Sequence, residues 1–276
     1  MLCSGTLAKL EIAQEQPAAF ALRVGGVEVP LNPLIGHGIQ VRPLGGVTCG
    51  NCGAASAKSF GRGYCYECFT TLARCDLCVV SPDRCHFHLG TCREPEWGES
   101  FCMQPHVVYL ANASGLKVGI TRKHRAVGRW LDQGAVQGLV IAETLTRRDA
   151  GLAEARLAQR ISDRTDWRKL VSADAPPIDL AGWAARLRHL LGEDVAYVGD
   201  VEAITELRYP VTRYPPVERL NLTEGGFCSR LIGCKGSYLL FEHGVFNAAE
   251  HVGFEVAFEL VDNPPAPPAD EQLALF

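Results

Sequence analysis

Cysteine spacing limits this chain more tightly than any other feature. Nine of the 12 cysteines fall between residues 49 and 106, as Cys49-x-x-Cys52, Cys65-x-x-Cys68, Cys75-x-x-Cys78 and Cys85-x-x-His88, with Cys92, Cys102 and His106 left over. A two-residue gap lets both ligands of a knuckle reach one ion while the intervening N–H groups turn toward the sulfurs, and two knuckles complete a tetrahedron. Four knuckles therefore predict two structural zinc sites. The segment has few apolar side chains, so ligation takes over the role of a hydrophobic core. Two pairings satisfy the count. One is sequential, with Cys49, Cys52, Cys65 and Cys68 on one ion and Cys75, Cys78, Cys85 and His88 on the other; the second is cross-braced. Cys92 or Cys102 could displace Cys85 or His88. Saturated sites leave no open position, so these zincs are expected to hold structure and not to do chemistry.

A secreted disulfide scaffold this rich in cysteine would be much shorter and would carry an export signal. Residues 1–16 lack a basic region followed by an apolar one, and no apolar run reaches the ~18 to 20 residues of a membrane-spanning helix. The expectation is a cytoplasmic protein, kept reduced, with no membrane contact. At 276 residues, 47% hydrophobic and 21% charged, the chain excludes wholesale disorder and has length for several cores.

Composition divides it into five segments. Residues 1–48 alternate in short apolar runs broken by Gly and Pro, a small β unit. Residues 49–105 form the double-zinc module. Residues 106–191 read strand, strand, helix, strand, helix, helix, and residues 192–262 turn β again. Residues 263–276 open with Asn263-Pro264-Pro265-Ala266-Pro267-Pro268, an extended linker. The expected class is multi-domain α+β. Its clearest helix places Leu180, Trp183, Ala184, Leu187, Leu190 and Leu191 on one stripe, with Asp179 as N-cap and Gly192 as a stop.

Charge is segregated along the chain. Residues 107–169 carry 12 Lys and Arg against 6 Asp and Glu, whereas residues 170–276 carry 7 against 16, within a net charge of -4. A positive module in an acidic chain suits a polyanion, because phosphate neutralisation dominates nucleic-acid affinity. Solvated helices wearing arginine would give the same count. The candidate nucleic-acid contacts are Arg122, Lys123, Arg125, Arg129, Arg160 and Arg164.

In that module residues 107–110 and 116–121 form two strands joined by a turn. Alternation puts Tyr109 on the same face as Lys117 and Gly119, with Leu116, Val118 and Ile120 opposite. The next helix carries Val127, Trp130 and Leu131 on one side and Arg125, Arg129 and Asp132 on the other. After a strand at 139–145, a helix capped by Asp149 carries Glu154 in line with Leu157, Ala158 and Ile161. A carboxylate on an apolar stripe needs an explanation.

This order of parts, over residues 106–167, resembles the GIY-YIG nuclease superfamily, as a divergent member. The resemblance implies an α/β sandwich in which Tyr109, Gly119, Arg129 and Glu154 match the family's tyrosine, glycine, arginine and metal carboxylate. Lys117 stands where the family has its second tyrosine. It implies phosphodiester hydrolysis assisted by one magnesium or manganese ion on Glu154, with Arg129 stabilising charge and Tyr109 or Lys117 orienting or deprotonating water. With the cysteine region and residues 90–98, the whole chain is also similar to an uncharacterised bacterial family designated only as a domain of unknown function.

Gln272, Leu273, Leu275 and Phe276 resemble the peptide with which bacterial proteins dock on the replication sliding clamp. Physically, apolar anchors on a flexible tether make a docking ligand. The two resemblances together imply a zinc-containing, repair-linked DNA endonuclease recruited to the clamp. The alternative is a non-catalytic adaptor that binds DNA or structured RNA with a degenerate nuclease fold.

Overall fold

The computed structural model describes residues 2–192, 195–199, 203–222 and 225–265. Among them the chain is α+β, with three sheets, short helices and a cysteine-rich module.

The largest sheet runs in the order Cys3–Thr6, Phe254–Val261, Gly38–Thr48, Phe227–Lys235, Tyr238–Phe241, Gly244–Asn247 and Arg219–Leu220. Gly38–Thr48 is antiparallel to the strands on both its sides. The segments 1–48 and 192–262, expected as separate β units, thus share one sheet. They also share one core, which includes Leu22, Ile39, Val41, Leu231, Phe241 and Phe258. The cause is edge satisfaction: each segment alone would leave unpaired strand edges and one uncovered apolar face. Fully buried Lys235 fastens this sheet to the preceding loop. Its Nζ donates to Asp174 Oδ1 at 2.9 Å, the Tyr214 hydroxyl at 2.8 Å and the Ala173 carbonyl at 3.1 Å.

In the central sheet His106–Asn112 lies between Leu116–Arg122 and Gln137–Thr144, antiparallel to both. Its register sets Tyr109 opposite Gly119 and Ala111 opposite Lys117. Val108, Leu110 and Val118 pack under the helices Arg147–Leu157 and Leu180–Leu187, while Tyr109 and Ala111 pack with Trp130 into the large core. The two faces follow the alternation expected of the sequence. The free edge of Gln137–Thr144 is closed by Ala196–Tyr197 and Thr205–Glu206, so this sheet continues past residue 191.

Helix Leu180–Leu187 starts where expected, Asp179 accepting from the Gly182 N–H at 2.8 Å. Helix Arg147–Leu157 does not. Thr146 is its N-cap, accepting from the Asp149 N–H at 3.2 Å and donating to the Asp149 carboxylate at 2.6 Å. Asp149 is the third helical residue, and its carboxylate holds the capping hydroxyl in place.

The cysteine module consists of helix Tyr66–Thr71, a chain of short 3-10 turns and helix Pro95–Cys102. It docks on helix Arg147–Leu157. A Cβ on Gly151 would lie 2.5 Å from Pro82 Cβ and 2.6 Å from the Asp83 backbone nitrogen. Among the described residues no helix is long and apolar enough to cross a membrane.

Gly151→Ala is expected to push module and helix apart and to destabilise the protein by about 1–3 kcal/mol, the usual cost of overpacking a close contact. Urea unfolding with and without the substitution measures it; an unchanged midpoint would show that this contact yields freely.

Candidate functional site

Cys49 follows the long strand Gly38–Thr48, and Cys65 caps helix Tyr66–Thr71, whose first turn presents Cys68. The Sγ atoms of Cys49, Cys52, Cys65 and Cys68 all lie within 4.8 Å of one another, Cys52 and Cys65 being 3.8 Å apart. That spacing is the edge of a tetrahedron built on ~2.3 Å zinc–sulfur bonds. The Cys68 N–H points at Cys65 Sγ from 3.5 Å, and Asn51 Nδ2 at Cys68 Sγ from 3.4 Å. Burial pushes the Cys49 thiol up, but the N–H groups of Cys52, Cys65 and Asn51 outweigh it and bring its pKa to about 6. The thiolate is the ligand form. Four sulfurs with supporting N–H donors fit a closed structural zinc site, and the first two knuckles pair sequentially.

The second expected set, Cys75, Cys78, Cys85 and His88, is not brought together. Cys75 packs against the first cluster, and His88 is exposed. Cys75 ends the 3-10 turn Ala73–Cys75 and packs toward the first cluster, whereas Cys78 sits in the next turn, Leu77–Val79, and lines a separate cavity.

On the central sheet, a Cβ at Gly119 would fall 2.3 Å from the Tyr109 phenol oxygen. Glycine is what lets the tyrosine ring lie across the neighbouring strand. The phenol is fully buried, donates to Gln133 Oε1 at 3.0 Å and lies against the Arg129 guanidinium. Burial raises its pKa. Lys117, on the same face, donates to Thr165 Oγ1 at 3.3 Å. Burial, then the Arg129 charge, pulls the Lys117 pKa down to about 8 against the opposing influence of Glu154 and Asp163. Burial, then Asp163, raises the Glu154 carboxyl, with Lys117, Arg129 and Arg147 acting the other way. Tyr109, Lys117 and Glu154 each sense Arg129, and Lys117 and Glu154 sense each other.

Arg129 also lines a cleft of about 320 Å³ together with Arg122, Arg125, Arg147, His106 and the ion pair of Lys9 with Asp132. Arg122 rests on the Phe101 ring, 4.5 Å from its centroid. Burial lowers the His106 pKa to about 4, so this ring is neutral at pH 7. Of the six basic residues singled out in the sequence, Arg122, Arg125 and Arg129 share this cleft. Lys123 instead pairs with Glu143 at 2.8 Å, and Arg160 and Arg164 are exposed elsewhere. Lys9, Arg147 and Asp163 carry no local signal: the first comes from the other end of the chain, and the others read as ordinary surface charges. Gln272, Leu273, Leu275 and Phe276 lie outside the described residues.

A family model described as "Protein of unknown function (DUF2797)" matches residues 36–256. No curated protein and no solved structure matches the chain.

Replacing Cys49 and Cys68 together by serine is expected to remove one equivalent of zinc per chain and to open residues 49–72 to protease. Structural zinc contributes roughly 10–16 kcal/mol of binding free energy to domains of this kind. Elemental analysis and limited proteolysis read the two effects; unchanged zinc content would dismiss this site.

Proposed function

The chain belongs to the family described as "Protein of unknown function (DUF2797)", and from its geometry we propose that it is a zinc-stapled endonuclease that hydrolyses phosphodiesters in DNA. The electrostatic reach of Arg129 to Tyr109, Lys117 and Glu154, together with its place in a cleft that Arg122, Arg125 and Arg147 also line, supports this reading. Glu154 and Asp163 offer hard oxygen donors inside basic surroundings, and burial together with their mutual repulsion holds the Glu154 pKa up. Glu154 and Asp163 would hold a divalent cation, magnesium or manganese by virtue of their hard oxygen donors, and its charge would offset that repulsion. Once bound there, such an ion supplies Lewis-acid stabilisation of charge on the phosphate and leaving oxygens.

The protein's own groups divide the remaining work. Arg129, at the wall between cleft and buried face, binds a non-bridging phosphate oxygen and meets the charge that grows on it. Arg122 and Arg125 hold flanking phosphates, which fixes the strand without reading its sequence. Lys117 in its neutral form takes the proton of the attacking water. Tyr109, sealed and with its pKa raised by burial, does not serve as the base. It positions Arg129, and Gln133 fixes the phenol in turn. The sequence from Gln272 to Phe276 adds docking on the replication sliding clamp, which would raise the local concentration of the enzyme near DNA.

A second reading, binding of DNA or structured RNA without cleavage, is favoured by the enclosure of Tyr109 and Lys117, which are 0% and 4% exposed. Glu154→Ala separates the two. It is expected to lower magnesium-dependent nicking of branched or nicked DNA by about 100-fold or more, while DNA affinity at fixed salt changes little. Equal nicking by both proteins would remove Glu154 from the mechanism; binding without any nicking by the wild type would leave the adaptor.

The pH profile follows from Lys117. With a pKa near 8 it is mostly protonated at pH 7, so its neutral fraction grows about tenfold per pH unit up to that point and then saturates. Cleavage rates are expected to climb with pH and level off above about 8, and Lys117→Arg to abolish that limb. A limb that survives in Lys117→Arg would assign the base elsewhere.

A further inference from the structure

Residues 76–105 fold without a hydrophobic core of their own. Among the described residues none of the three apolar clusters draws on this segment. It consists of 3-10 turns and one two-turn helix, yet Cys78, Cys85 and Cys102 are buried within it. All three line one small cavity, and Cys92 completes the ring. Cys78 lies within electrostatic reach of Cys85 and Cys102, and Cys102 of Cys85 and Cys92. Four cysteines lining one cavity where no apolar core exists suit a metal-dependent fold, although among the described residues no three of their sulfurs lie within 4.8 Å of one another, so binding an ion would draw them inward.

We propose that Cys78, Cys85, Cys92 and Cys102 bind a second structural zinc ion, distinct from the one held by Cys49, Cys52, Cys65 and Cys68. The cavity has a volume of about 10 Å³, roughly what one water-sized sphere needs. The four come from three separate turns and the end of helix Pro95–Cys102, so one ion ties together every piece of the segment. Zinc bound to four thiolates carries a net charge of -2, and a cation is already in place to offset it. Buried Arg147 donates from Nη1 to the Cys78 carbonyl at 2.7 Å and also reaches Cys102.

A tighter trio competes for the ion: ligand atoms of Asp76, Cys78 and His86 lie within 4.8 Å of one another. The Asp76 carboxylate is already committed: it accepts from the Cys78 N–H at 3.2 Å and pairs with Arg93 Nε at 2.8 Å. His86 Nδ1 bonds Thr91 Oγ1 at 2.8 Å, and its Nε2 lies 3.6 Å from Asp76. Asp76 therefore braces the turn around Cys78, and His86 Nε2 is the rival donor that the absorption spectrum below distinguishes from sulfur. This zinc site stands independently of the nuclease reading.

The test uses the full chain purified with zinc, by elemental analysis and zinc-edge X-ray absorption. Two zinc ions per chain are expected, both surrounded by sulfur alone at about 2.3 Å. Cys92→Ser with Cys102→Ser should leave one ion, whereas Cys75→Ser with His88→Ala should retain two with the all-sulfur shell unchanged. Should the first double variant fail to fold, the wild-type absorption spectrum and the second double variant still decide. One zinc in the wild type, nitrogen or oxygen in the shell, or loss of an ion with Cys75→Ser and His88→Ala would each overturn the proposal.

Discussion

Arg147 stands in the seam between the cysteine module and the helix that carries Glu154. Its guanidinium is buried, donates to the carbonyls of Cys78 and Val79, and lines the basic cleft. Burying a cation is costly unless hydrogen bonds and anions replace its water. Here the carbonyls come from the cysteine-rich turns, and Glu154 and Cys102 both lie within reach of its charge. The guanidinium is satisfied only when turns and helix are both in place. The planar fork of arginine serves this purpose where a lysine would reach a single acceptor. Gly151, one turn further along the same helix, lets the Pro82 backbone approach closely enough for these bonds to form. The position of the Glu154 carboxylate is therefore fixed by a part of the chain that has no apolar core of its own.

Local patterns were legible and distant pairings were not. The period of two along residues 107–121 places Tyr109, Lys117 and Gly119 on one face without reference to the rest of the chain, and the structure agrees. The first two knuckles pair in sequence because each is a compact turn with its own N–H donors. Beyond Cys68 spacing alone does not say which cysteines share a cavity. Cys75 packs toward the first cluster, while Cys78 lines a cavity with Cys102, which comes from a helix with no knuckle spacing. The merging of the two terminal β segments rests on pairs such as Cys3 with Phe258 and Val41 with Phe227, which no window of sequence contains. Lys235 belongs to the same class: a lysine in a strand reads as an edge residue until its three partners, all from other segments, are seen. The N-cap at Thr146 was missed for a smaller reason. Thr and Asp are both good caps, and only the reciprocal bond between them reveals which is outside the helix.

The electrostatics of the candidate site distinguish it from the ion pairs that decorate the surface. Lys9 with Asp132, Lys123 with Glu143 and Arg42 with Glu259 close to 2.6, 2.8 and 2.7 Å. Among the described residues no ion pair within 4 Å joins Lys117 or Arg129 to Glu154, although each senses the others. A network built for stability would bring such groups into contact, because proximity and shared hydrogen bonds are what repay desolvation. Held apart, they keep opposite pKa displacements: the ammonium is lowered and the carboxyl raised, each first by burial. Among the described residues each charged form lacks a counter-ion at bonding distance. Under the proposed endonuclease reading a phosphate group with its attendant cation would provide both, an anion for Lys117 and Arg129 and a cation for Glu154. In that reading the burial that makes the empty arrangement costly would also strengthen each contact once a phosphate is in place.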